Sequence, residues 1–283
     1  MQKITTTFFS LFIILLISSC DTKKEKSEYM DTDTFDFSKP KVLELETSLD
    51  EISGIIYYAK DTSLFAIIDE AGTLFKIPLN NHLKSQRWSF AKGRDFEDIV
   101  LVDSTFYILV SNGDIEMLRF KNDMPVSEKI DFGLGGKKIN EFESLFKNEF
   151  DNSLTLLCKS CEEDEKGSIS SYRITLGDSL NLQKDSTYDL RGFNQAIASD
   201  KHLKPSAAAV NPVTGEIYMI SSILKCIVIF NRDKTFKEYI KLSPTIYKQP
   251  EGMAFTPTGD LIISNEFAEQ GLATLLLLKN KKN

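Results

Sequence analysis

Short apolar runs alternate with polar turns along most of this chain, in the two-residue rhythm of β-strands and without the three-to-four spacing of long helices. In five places such a run opens on a pair of small or acidic residues: Ser53-Gly54, Glu97-Asp98, Glu143-Ser144, Ser206-Ala207 and Glu251-Gly252. The openings return about every 46 residues, with one longer step from Glu143 to Ser206. A strand-built repeat of that length is the sequence form of a β-propeller blade.

Alternation and turn residues divide the copies into strands. Copy one predicts strands at 54–58, 63–68, 72–77 and 85–90, and copy two at 99–102, 105–110, 114–120 and 126–132. Copy three predicts 145–147, 153–158, 169–176 and 183–190, and copy four 207–210, 216–221, 226–230 and 236–242. Turns at Asn211-Pro-Val-Thr-Gly215 and Thr256-Pro-Thr-Gly259 supply the fixed and positive φ values that tight reversals need. Copy five has only three strands, at 253–255, 260–264 and 273–278, and residues 41–46, ahead of copy one, supply the fourth. The expectation is an all-β fold, a β-propeller with five blades of four antiparallel strands. Its N-terminal strand 41–46 joins the last blade, which closes the ring and covers an edge otherwise open to aggregation. Six blades are the alternative, and would need strands within 191–205, where 195–198 reads as helical.

A propeller sets the first residues of each innermost strand around one mouth of a central channel. Ser53, Glu97, Glu143, Ser206 and Glu251 then form a ring. Asp69-Glu70 and Asn265-Glu266 fall at the ends of second strands, while Glu51, Asp95 and Glu141 precede three openings by two residues. Converging carboxylates repel one another unless protons or a cation neutralise them. Oxygen ligands without histidine or cysteine favour calcium or magnesium over zinc. The ring therefore predicts a divalent-cation site, calcium first, at Glu97, Glu143 and Glu251, with Asp69 and Glu266 close by. The competing reading makes these glutamates structural: they accept N–H bonds from the next blade and pin the ring.

The N-terminus is of a different kind. Lys3 precedes an apolar run at 8–17, which ends in Ile17-Ser-Ser-Cys20, similar to a bacterial lipobox. Residues 1–19 read as a lipoprotein signal peptide, and Cys20 as the acylated residue that ties the chain to a membrane. Residues 20–40, dense in charge, read as a flexible tether to a domain at 41–280. With 41 acidic and 34 basic side chains, the chain lacks the basic footprint of a nucleic-acid binder. Cys158-Lys-Ser-Cys161 has metal-ligand spacing but no second such pair, so a local disulfide or plain buried thiols are the better readings. His82, in a loop of copy one, and His202, in the insertion, both read as surface residues.

Several runs resemble the SdiA-regulated (YjiK-like) family of bacterial envelope β-propellers: Glu51-Ile-Ser-Gly-Ile-Ile-Tyr57, Phe65-Ala-Ile-Ile-Asp-Glu70, Asp95-Phe-Glu-Asp-Ile99, Pro250-Glu-Gly-Met-Ala-Phe255 and Ile263-Ser-Asn-Glu266. The resemblance spans roughly residues 48–270 and departs at Ser206-Ala-Ala, where an acidic or glycine-bearing opening is expected. It implies a propeller at the cell envelope and specifies no reaction. The functional expectation is a lipid-anchored, non-enzymatic binding or scaffold protein, with a ligand or protein partner at the channel mouth. The alternative is a metal-dependent hydrolase of a lactone or phosphoester, in which Asp69 or Glu266 serves as general base.

Overall fold

The alternating runs do form strands, and each run of four folds back on itself as a meander. The structure, a computed structural model, describes residues 31–79, 84–134, 140–148, 151–164, 167–198, 202–268 and 271–283. After β1 (Lys41–Glu44), blade 1 comprises β2 (Ile52–Tyr58), β3 (Ser63–Ile68), β4 (Thr73–Pro78) and β5 (Gln86–Ser89). Blade 2 comprises β6 (Phe96–Val102), β7 (Thr105–Val110), β8 (Ile115–Lys121) and β9 (Met124–Ile130). In blade 3, β10 (Glu141–Asn148) and β11 (Ser153–Ser160) are followed by the short β12 (Ser168–Ile169), then β13 (Ser171–Thr175) and β14 (Asn181–Lys184). β15 (Tyr188–Asp189) and helix α1 (Arg191–Ala196) lead to blade 4, formed by β16 (Ala207–Val210), β17 (Ile217–Ser221), β18 (Cys226–Phe230) and β19 (Phe236–Lys241). Blade 5 takes β20 (Pro250–Phe255), β21 (Leu261–Asn265) and β22 (Thr274–Leu278) from the C-terminal end.

Its fourth strand is β1, antiparallel to β22 with Lys41 opposite Leu277 and Glu44 opposite Thr274. The ring is therefore five four-stranded antiparallel blades, closed by the N-terminal strand as expected. Innermost strands β2, β6, β10, β16 and β20 neighbour one another around the axis. Apolar side chains fill the space between blades: Phe65 of β3 and Phe106 of β7, for example, meet edge to face at 4.7 Å. Outer strands alternate toward solvent, as in β9, where exposed and half-buried positions interleave. At the tight reversals Gly215 and Gly259 have φ of 72° and 83°, conformations that favour glycine.

Three features differ from the sequence expectation. The strand expected at 169–176 divides at Ser170, whose N–H donates to Asp164 Oδ1 at 2.8 Å and whose carbonyl accepts from Cys158 N–H at 3.1 Å. The piece before it leaves the blade to pair with Tyr188–Asp189, so the strand expected at 183–190 is divided as well. The insertion at 191–205, by contrast, is as expected: among the described residues it contributes a helical turn and no further blade. Finally, Phe35 and Phe37, within the stretch read as tether, are 1% and 2% exposed, and Tyr247 Oη donates to the Phe37 carbonyl at 3.0 Å. Two aromatic rings offer enough apolar area to dock that stretch on blades 4 and 5. Cys20 and His82 lie outside the described residues, and His202 is exposed.

Candidate functional site at the channel mouth

The innermost strands are not regular where they begin. Pairing between first and second strands slips between Ile52 and Ile55, Phe96 and Asp98, Phe142 and Ser144, and Pro250 and Gly252. A β-bulge adds one residue to a strand and re-aims its side chain. The added residues include Glu97, Glu143 and Glu251, so three glutamates distant in sequence reach the same cavity of about 440 Å3. Glu51, Asp95 and Glu141 line it from just ahead of the openings, and Asp69 and Glu266 from the second-strand ends. Ser206 lines an adjoining cavity that shares Glu143 and Glu251 with the first. All five carboxylates assigned to a cation by sequence thus meet at one mouth.

Among the described residues one cation faces them there. Lys159, at the end of β11, pairs with Glu143. Four of the other carboxylates carry a burden of burial and nearby charge. Burial, then the charges of Asp95 and Asp69, pushes Glu97 up to about 9. Burial and a hydrogen bond with Asp95 raise Asp69 to about 7. Burial, then the Glu251 charge, raises Glu266 to about 8. Glu251 is raised too, by burial, against a hydrogen bond from Ser222 and the charges of Lys159 and Lys225. At neutral pH part of this cluster holds protons, a state that a bound cation would replace.

Pinning of the blades falls to neighbours of the glutamates. Asp98, fully buried, accepts Ile99 N–H on Oδ1 and, across the blade boundary, Leu145 N–H on Oδ2, both at 2.8 Å. Burial holds its carboxyl well above the usual carboxylate range, against those two bonds. The Ser53 hydroxyl donates to the Glu97 carbonyl at 2.7 Å, Ser206 to the Pro250 carbonyl at 2.6 Å, and Ser264 to the Ser53 carbonyl at 3.1 Å. In the same crowded position as Asp98, a Cβ on Gly54 would stand 2.5 Å from the Asp98 Cα, and one on Gly252 2.4 Å from the Ser53 carbonyl oxygen. By pattern along the chain Glu97 ranks above Asp98, and Lys159 has no place in the site. The small residues at 54 and 252 were the available signal for the first. For Lys159 the only signal was its place between Cys158 and Cys161, which form a disulfide.

The donor set suits a hard cation, being all oxygen, and Asp69 Oδ1 is buried without a hydrogen-bond partner. The carboxylates stand around the mouth rather than closing on a point. Among the described residues the three possible ligands whose atoms lie within 4.8 Å of one another are Cys158, Cys161 and Asp164, and that pair of cysteines is already oxidised. A calcium ion at the mouth would therefore share its coordination between carboxylates and water, as calcium's six to eight oxygen ligands permit.

A closed ring of five blades with an acidic mouth defines the class, a β-propeller. The chain belongs to the SdiA-regulated family, whose model matches residues 34–268. No curated protein matches the sequence. Among solved structures, glutaminyl cyclase of Myxococcus xanthus is similar with TM-score 0.60 and 12% identity, covering 85% of this chain and 94% of that one. A calcium-binding protein, regucalcin, from Agrobacterium tumefaciens is similar with TM-score 0.52 and 12% identity, covering 84% and 92%. A gluconolactonase from Xanthomonas campestris is similar with TM-score 0.52 and 11% identity, covering 86% and 91%. Identities this low establish the shared propeller fold.

Proposed function

We propose that this protein is a non-enzymatic binding propeller of the cell envelope, anchored by lipid on Cys20, whose channel mouth takes up calcium. The observation that carries the reading is the meeting of Asp69, Glu97, Glu251 and Glu266 in one cavity where, among the described residues, Lys159 is the only lining cation. Like charges gathered without compensation favour whatever neutralises them. Glu97, Glu251 and Asp69 would hold the ion, and the unpartnered Asp69 Oδ1 would gain a partner. The ion supplies positive charge and open coordination positions at the mouth; the chain's own residues orient the ligand around it. Calcium binding to regucalcin is consistent with this reading.

Calcium should raise the melting temperature of the purified protein, and Glu97→Gln with Glu251→Gln should abolish the rise. No shift at millimolar calcium sinks the cation site. For the anchor, Cys20→Ala should release the protein from membranes; unchanged fractionation refutes it.

A second reading, a metal-dependent hydrolase of a lactone or phosphoester, draws on Asp69. A carboxyl raised to about 7 exchanges protons readily at neutral pH, as a general base must. Turnover in a lactone and phosphoester screen that disappears in Asp69→Asn would move the assignment to it.

A further inference from the structure

On the side where Ser206 stands in place of a glutamate, the mouth continues into a second cavity of about 390 Å3. The two cavities share Glu143, Lys159 and Glu251, so they are adjoining halves of one site. Their charges are opposite. Among the described residues, the second half is lined by Lys159, Lys204, Lys225 and Lys248 against Glu143 and Glu251. With Glu143 already paired to Lys159, Lys204 and Lys225 still outnumber Glu251 there.

Two of these lysines sit on constrained backbone. Lys225 is half-buried in a left-handed conformation, φ 49°, in the turn between β17 and β18, and its ammonium donates to the Lys248 carbonyl. Burial depresses its pKa. That turn is tied to the ring opening, since Ser222 N–H donates to the Ser206 hydroxyl at 3.2 Å. Lys159 is held more firmly still. In the β10–β11 ladder Phe142 faces Cys158 and Glu141 faces Ser160, which leaves Lys159 as an added residue, and the Cys158–Cys161 disulfide spans it. A bulge closed by a covalent bridge fixes where that side chain points.

We propose that this second half is an anion subsite for a phosphoryl group, so that the ligand of the mouth is inorganic phosphate or a phosphate ester. Ammonium groups are compact point donors, and several of them arriving from different elements suit the oxygens of a tetrahedral dianion. Lysine binds phosphate as a point charge rather than through a planar fork, and among the described residues no arginine lines this cavity. The proposal rests on the mouth being a binding site, and it holds whether or not calcium occupies the acidic half.

The test is calorimetric titration of the purified protein with inorganic phosphate at low salt. Calcium is absent in one arm, and in the other is kept below the solubility limit of calcium phosphate. Wild-type protein should bind phosphate without calcium, and Lys204→Ala with Lys225→Ala should weaken binding about tenfold or more, with Lys279→Ala, remote from the mouth, unchanged. Should the double variant fail to fold, Lys204→Gln alone should still weaken binding. Titration with a phosphate monoester and with acetate separates the chemistry: the ester should compete with phosphate and acetate should not. Absence of phosphate binding, undiminished binding in the lysine variants, or equal competition by acetate overturns the proposal. Loss of the calcium-dependent melting shift with phosphate binding intact would sink the cation site alone.

Discussion

The same inner strands end in two unlike places. Their beginnings surround a cavity walled by carboxylates, while their far ends surround one of about 270 Å3 walled by side chains such as Val100, Phe146, Ala209 and Phe255. Glu97 and Asp98, consecutive on β6, stand for the contrast, since Glu97 lines the first cavity and Asp98 the second. Both are acids raised by burial. Asp98, however, spends its oxygens on backbone N–H groups of two blades, whereas Glu97 sits among like charges. An acid whose acceptors are filled holds the fold; one left among repelling neighbours is available to a ligand.

The contrast can be broken most directly at Asp98. Asp98→Ala should destabilise the protein by about 2–5 kcal/mol in denaturant unfolding, since it orphans two buried N–H groups at ~1–3 kcal/mol each. Glu97→Ala should show no comparable loss, and equal losses would erase the distinction between the two ends. Next comes Gly54→Ala, which would place a methyl 2.5 Å from the Asp98 Cα. It should lower stability by about 1–3 kcal/mol through overpacking of blade 1 against blade 2. Gly177→Ala, whose nearest neighbour would be 3.7 Å away, is the control and should stay within ~0.5 kcal/mol.

A gentler effect sharpens the role of Glu97. Its carboxyl lies at about 9 in the fold against 4.5 ordinarily, so between those values the folded state holds a proton that the unfolded chain has released. Unfolding then loses a proton, and stability falls as pH rises across that window. Melting temperature measured against pH in chelator should show this decline, and Glu97→Gln should flatten it; an unaltered slope would place the titration elsewhere in the cluster. Smallest is the effect of the disulfide. Replacing Cys158 and Cys161 by serine frees Lys159 and should weaken phosphate binding about two- to fivefold, equivalent to ~0.5–1 kcal/mol. Unchanged affinity would mean that the strand alone aims Lys159.

Much of this molecule could be read before folding, because its determinants are local and repeated. Alternation marked the strands, and the incomplete fifth copy with a spare strand at 41–46 called for the closure that pairs β1 with β22. The ring of Glu97, Glu143 and Glu251 followed from the repeat, since equivalent positions in blades occupy equivalent places around an axis. What the sequence left open depends on contacts between copies. Asp98 pins blade 2 to blade 3 only because Leu145 N–H arrives at its Oδ2, and nothing local to 98 announces that. Lys159 lines the mouth from a bulge on β11, beside the bulge on β10 that carries Glu143 and within the loop the disulfide closes, and no local pattern marks that meeting. The stretch around Phe35 looked like tether because charge density dominates its neighbourhood, yet two buried rings dock it on the body. Strand order, closure and the acidic ring were thus set by pattern along the chain. Which acid pins, which acid stays free, and where the lysines gather were decided by side chains from different blades meeting at one place.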